Sequence, residues 1–173
     1  METVHDVAWL NALPAESARA ELLKCCGATR WAATLEQQRP FATFDQLLAQ
    51  ASEVWWALTT SDWLDAFRSH PKIGEKKAAT DVAAQAQQWS AQEQQGLSHA
   101  TASTTEKLAQ LNRVYEEKFG FIFIVCATGK STDEILALLQ ARIYNDLAAE
   151  LRIAATEQAK IMELRLRKLL DAA

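Results

Sequence analysis

Phe121-Ile122-Phe123-Ile124-Val125-Cys126-Ala127 is the one stretch of this chain without helical periodicity, and the fold class turns on how it is read. A continuous apolar run of this length has the pattern of a buried strand. A lone strand, however, has no neighbour in this sequence to complete its backbone hydrogen bonds. We therefore read 121–127 as a short buried extended segment, or the distorted start of a helix, whose peptide groups need partners other than a ladder. Everything around it reads as helix. The expected fold is all-α: a single compact multi-helix domain over residues 1–173.

Working outward, a periodic segment from Thr101 to Phe119 leads into the run and ends at Gly120, a residue suited to a helix C-terminus. Beyond it, Ser131 and Glu134 cap a helix through Tyr144, and Asn145 or Asp146 begins a last helix reaching Leu170. Ile153, Ile161, Leu164 and Leu169 recur near helical spacing, giving that helix a core face. Towards the N-terminus a first helix covers Val4 to Leu10, and Pro14 opens a second that runs to Cys26 before Gly27. Thr29 caps a third helix through Gln37, stopped by Pro40. Thr43 and Gln46 form a capping box for a helix through Leu58, and Ser61 caps one through Arg68. Residues 76–88 are rich in Ala and Gln and are expected to be exposed or mobile. Ser90 and Glu93 again have capping-box spacing.

Composition supports the helical reading. Five Gly and three Pro in 173 residues are too few punctuators for a sandwich or barrel, and 49% hydrophobic with 23% charged residues is ordinary for a globular protein. A net charge of −4 with interspersed basic residues carries no footprint for nucleic acid, so no DNA or RNA partner is expected. The N-terminal Met1-Glu2-Thr3-Val4-His5-Asp6 lacks an apolar signal region and no stretch is long enough to cross a bilayer, so no membrane association is expected. The three cysteines, Cys25, Cys26 and Cys126, read as reduced thiols of a cytoplasmic protein. The C-terminal Asp171-Ala172-Ala173 is not a peroxisomal address. Metal-ligand spacing is absent from the sequence, although His5, His70 and His99 could converge in space; we expect no metal.

Ser69-His70-Pro71-Lys72-Ile73-Gly74-Glu75 is where chemistry is expected. Pro71 biases His70 away from helical backbone angles and Gly74 permits a tight turn, so the imidazole sits on a bend after a helix end. Imidazole exchanges protons near neutrality. Taken alone, His70 reads more readily as a polar residue in a turn, since most loop histidines do no chemistry.

Four pieces in order carry a resemblance: Arg68 to Glu75; Trp89 to Gly96 (Trp-Ser-Ala-Gln-Glu-Gln-Gln-Gly); Leu111 to Ala127 (Leu-Asn-Arg-Val-Tyr-Glu-Glu-Lys-Phe-Gly-Phe-Ile-Phe-Ile-Val-Cys-Ala); and Lys160 to Leu166 (Lys-Ile-Met-Glu-Leu-Arg-Leu). Together they resemble the 2-oxo-4-hydroxy-4-carboxy-5-ureidoimidazoline (OHCU) decarboxylases of purine catabolism. The resemblance implies an all-helical enzyme, commonly a homodimer, that acts without metal or cofactor on a small-molecule ureide and completes the route from urate to (S)-allantoin. It implies that His70 is the proton donor, with Glu93 paired to the catalytic chemistry. Pro71, Ser90, Ala91, Gln92, Glu93 and Gln94 would line or contact the substrate. Phe123, Ile124, Val125, Cys126 and Ala127 would contribute binding groups, and Arg165 a fixed positive charge. The segment between Gly74 and Trp89 carries no matching motif.

Each residue also has a plainer reading. Ser90 and Glu93 read by spacing as a helix cap; Arg165, near Arg167 and Lys168, as a solvated charge; Phe121 to Val125 as core; Cys126 as a small hydrophobe; and the six tryptophans as core or dimer contacts. A non-catalytic helical interaction module is therefore the competing function. A hydrolase of a related ureide is a third, but it would more often bring a metal or a nucleophile.

Overall fold

The structure, a computed structural model, describes residues 5–75, 78, 80, 82–97 and 100–170. Among these residues it contains nine α-helices and one short 3-10 helix, with no strand beyond an isolated bridge between Pro71 and Ala78. The all-α expectation holds. The chain divides into two compact units: Met1–Ala66 with Ala159–Ala173, and Phe67–Gln158. The first helix, expected over Val4 to Leu10, runs instead over Val7–Ala12, because Asp6 caps it; Val4, parts of the 76–88 segment, His99 and the Asp171-Ala172-Ala173 terminus lie outside the described residues.

The first unit holds α1 (Val7–Ala12), α2 (Ala15–Cys25), α3 (Thr29–Gln37), α4 (Phe44–Trp56) and most of α5 (Thr60–Arg68). Its helix ends are fixed by short-range polar contacts. Asp6 accepts from Trp9 N at the start of α1, and Thr43 accepts from Gln46 N while Gln46 reaches back to Ala42 N, completing the expected box. The guanidinium of Arg39 collects the C-terminal carbonyls of α1, Leu10 O at 2.8 Å and Leu13 O at 2.7 Å. Two caps differ from the sequence reading. α5 is capped by Thr59, whose hydroxyl and amide both bond Asp62, and not by Ser61. Thr29 does not cap α3 with its own oxygen; its amide and hydroxyl instead donate to Asp65, 36 residues away. Trp31 and Trp55 are fully buried, and the indoles of Trp31 and Trp63 donate to Ala51 O and Trp55 O, so these three tryptophans are core, as the plain reading had it.

The second unit contains α6 (Ala84–Glu93), a 3-10 helix (Gln95–Leu97), α7 (Ala102–Phe119), α8 (Thr132–Arg142) and the first part of α9 (Leu147–Leu170). Ser90 and Glu93 stand in the last turn of α6, not at the start of a helix, so the capping-box reading is wrong here. The Ala/Gln-rich segment supplies that helix. Its described residues are largely exposed, but Ala86 and Trp89 turn inward. Thr101 and Ser131 cap α7 and α8, and Gly120 ends α7 with φ +80°.

After a bend at Gly120 and Phe121 the chain runs through Ala127 without regular secondary structure and, among the described residues, without a neighbouring strand, and its peptide groups find side chains instead. Arg142 Nη1 donates to Ile124 O at 2.7 Å, Cys126 N–H donates to Glu157 Oε1 at 3.2 Å, and Lys130 Nζ donates to Cys126 O at 2.7 Å. Arg142 is itself held by Glu150, whose carboxylate also accepts from Tyr115 Oη at 2.5 Å and Asn145 Nδ2 at 3.1 Å. Burial, then that carboxylate, pushes the Tyr115 phenol well above its ordinary range, so it is a permanent donor. Tyr115, Phe119, Phe121 and Phe123 pack with ring centroids 4.6–6.1 Å apart beside this network.

Gly96 lies where a side chain has no room: a Cβ would stand 2.2 Å from Lys130 O. Backbone meets backbone there, so relief requires moving the turn that follows the extended segment. Gly96→Ala should destabilise the protein by about 1–3 kcal/mol, read as a lowered urea midpoint at unchanged m-value.

Candidate active site

α5 ends at Arg68, and a turn closed by His70 N–H to Phe67 O at 3.2 Å carries the chain to His70. The loop after it is tied down at three points. Asn112 Nδ2 donates to Ile73 O at 3.1 Å, Lys72 pairs with Glu116 at 2.8 Å, and Gly74, with φ +90°, donates its N–H to Gln94 Oε1 at 2.9 Å. Only the last bond needs glycine's backbone freedom. These contacts hold His70 and Pro71 in buried positions.

His70 is 7% exposed, and its Nε2 lies 2.6 Å from Oε1 of Gln158 on α9. A turn residue in water would have no such partner. The preceding residue on α9, Glu157, is also buried and holds Cys126 N–H. Burial raises the Cys126 thiol above its usual range, Lys130 opposes this, and the carboxylates of Glu157 and Glu93 add to it. The second unit thus pairs His70 with Gln158 and Cys126 with Glu157, consecutive residues of α9 that the sequence reading missed.

Ser90 and Glu93 are buried at the end of α6 and Gln94 half-buried, while Ala91 and Gln92 are exposed on its other side. Phe123, Ile124, Val125, Cys126 and Ala127 are all buried. The Cys126 amide is already engaged by Glu157. Arg165 belongs to the first unit. It is 3% exposed and its Nη1 donates to Lys24 O at 3.0 Å near the C-terminus of α2, so it is not a solvated charge. Its guanidinium complements that helix end. Burial pushes the Cys26 thiol up to about 12, only partly offset by the Ala28 amide and Arg165; no cysteine here has the character of a nucleophile.

Among the described residues no three His, Cys, Asp or Glu side chains could together hold a metal ion. His5 stacks on Trp9 at 3.8 Å. A signal for the missed residues was present. Along α9 the buried positions Glu150, Ala154, Glu157, Gln158, Ile161, Arg165 and Leu169 follow helical spacing, and four of the seven are polar. Reading the stripe from Ile153, Ile161, Leu164 and Leu169 set it slightly off, since Ile153 and Leu164 are only half-buried.

The sequence profile of the family described as OHCU decarboxylase matches residues 11–167. The chain belongs to this family. Among OHCU decarboxylases, it is 33% identical over 128 residues to 2-oxo-4-hydroxy-4-carboxy-5-ureidoimidazoline decarboxylase of Haloferax volcanii, covering 74% of this chain and 73% of that one. It is 36% identical over 146 residues to the uric acid degradation bifunctional protein TTL of Arabidopsis thaliana, covering 84% of this chain but spanning only 45% of that protein's length. A crystal structure of OHCU decarboxylase in the presence of (S)-allantoin superposes with a TM-score of 0.77 at 35% identity, covering 88% of this chain and 99% of that one. No described helix is long and apolar enough to cross a membrane.

The Glu157 contact sets a stability test. Glu157→Gln keeps an oxygen for Cys126 N–H, whereas Glu157→Leu strands a buried donor. Chemical denaturation should find the Leu variant less stable than the Gln variant by about 1–3 kcal/mol; equal stabilities would mean that the amide has another partner.

Proposed function

We propose that this chain is a carboxy-lyase that converts 2-oxo-4-hydroxy-4-carboxy-5-ureidoimidazoline to (S)-allantoin in urate degradation, with His70 as the proton donor. The observation that carries the His70 assignment is its burial with Nε2 held 2.6 Å from Gln158. An imidazole fixed in this way can deliver a proton in one direction. Membership of the family carries the reaction.

The substrate holds its carboxylate on a ring carbon next to a C=N carbon. When the bond to the carboxylate breaks, its electron pair joins the two ring carbons and the C=N pair moves to nitrogen. The hydroxyl then becomes the carbonyl as the ureido-bearing carbon takes a proton, so one proton is consumed overall and CO2 leaves. The substrate is its own electron sink. The protein's tasks are to orient the carboxylate, exclude water and choose the face that is protonated.

In this reading His70 supplies the proton and Glu93 orients or tunes it. Pro71, Ser90, Gln94 and the buried 123–127 segment form the walls, and Arg165 supplies positive charge for the anionic substrate. Ala91 and Gln92, exposed on α6, are the weakest members of that wall. The three free thiols suit a reducing cytoplasm, and we infer a homodimer there.

Two measurements check the reading. Uncatalysed decarboxylation protonates both faces and yields racemic allantoin, so substrate generated from urate by urate oxidase and hydroxyisourate hydrolase should give a growing (S)-allantoin signal when this protein is added. His70→Ala, folded by circular dichroism, should lower the rate by about 10²–10⁴-fold; a racemic product at the uncatalysed rate from folded wild-type protein would overturn the decarboxylase. Separately, Arg165→Lys should weaken (S)-allantoin binding about tenfold, because an ammonium cannot reproduce the guanidinium's planar donors; calorimetric titration reads it directly.

A further inference from the structure

Gln158 is fully buried on α9, where its helical neighbours Ala154, Ala155, Ile161 and Met162 are also buried. An amide in such a row is costly unless both its ends are bonded, and a leucine or methionine would fill the same space. One end is bonded: Oε1 lies 2.6 Å from His70 Nε2. The other is not. Gln158 Nε2 has no hydrogen-bond partner among the described residues.

We propose that Gln158 is a positioning residue for His70 and that its free amide donates a hydrogen bond to an oxygen of the bound ureide. The identity of that ligand rests on the decarboxylase reading; the contact to His70 does not. A carbonyl-type acceptor at this distance can be satisfied only by a ring N–H, so Gln158 holds one proton on Nε2 and leaves Nδ1 as the site that takes up and gives away the second, the proton His70 delivers to the substrate. It also fixes the ring plane, because the amide is anchored on a helix. The remaining amide hydrogens suit the carbonyl or carboxylate oxygens in which a ureide is rich. A buried donor that waits for the ligand favours substrates that bring an acceptor and penalises those that do not.

The test uses the full-length protein, Gln158→Met, which keeps length and apolar packing without hydrogen bonds, and Gln158→Glu, which keeps the acceptor but loses the donor. Long-range proton–nitrogen correlation spectra of the imidazoles, at a pH where the ring is neutral, identify the tautomer; with three histidines in the chain, His70→Ala assigns the signals. Wild type and Gln158→Glu should show His70 protonated at Nε2, and Gln158→Met should lose that single tautomer and lower kcat by about 10–100-fold, as loss of a residue that orients a working histidine does. Calorimetric titration with (S)-allantoin should show affinity weakened about tenfold or more in both variants, the loss of one hydrogen bond or more.

An Nδ1-protonated wild-type ring, or His70 signals unchanged in a folded Gln158→Met, would overturn the positioning role. Wild-type affinity for (S)-allantoin in Gln158→Glu would overturn the donor role. Absence of turnover by wild-type protein whose tautomer and allantoin affinity respond as described would overturn the decarboxylase reading and leave this one standing.

Discussion

The backbone from Phe121 to Ala127 is largely buried with neither a helix nor a strand to bond its peptide groups, and the second unit is organised to satisfy it. Water is excluded and no ladder exists, so each inward-facing peptide group needs a specific side chain. Arg142, Glu157 and Lys130 meet that need at Ile124 O, Cys126 N and Cys126 O. Two of these are themselves buried charges, which are tolerable only with several partners of their own. Glu150 therefore gathers Tyr115, Arg142 and Asn145 around one carboxylate, and α7, α8 and α9 are held in register by the same set of bonds.

This arrangement also prepares the candidate site. Glu157 is drawn inward to hold Cys126, and the next residue, Gln158, is thereby set against His70. A structural requirement and a chemical one are met by adjacent positions on a single helix. The loop bearing His70 is secured from its other side by Asn112, Glu116 and Gln94, so the imidazole stands on a fixed support although it lies outside any helix.

Polar residues on a core stripe explain why α9 reads ambiguously. Glu150, Glu157, Gln158 and Arg165 occupy buried positions that an amphipathic pattern assigns to hydrophobic side chains. Seen as a sequence they look like ordinary surface charge. Their spacing is the clue, because they fall in phase with Ala154, Ile161 and Leu169. The same logic failed at Ser90 and Glu93, where capping-box spacing was genuine but the helix runs the other way from it, ending there. Spacing within four residues cannot by itself say on which side of it a helix lies; here the Ala- and Gln-rich side, 83–88, forms the helix, and Gly96 follows its end.

The sequence by itself determined the helical class, most helix ends and the anomaly at 121–127. Those features are encoded by caps, glycines and prolines acting over three or four residues, and Thr43, Thr101, Ser131 and Gly120 do what their types require. The motif around His70, with the order of the other three pieces, also carries the family resemblance. Only the tertiary structure decided which polar groups would be buried and with whom. Gln158 meets His70 across 88 residues and Glu157 meets Cys126 across 31. Such pairings carry no local signal, since they exist only once packing has excluded water and left each buried donor and acceptor to find a partner.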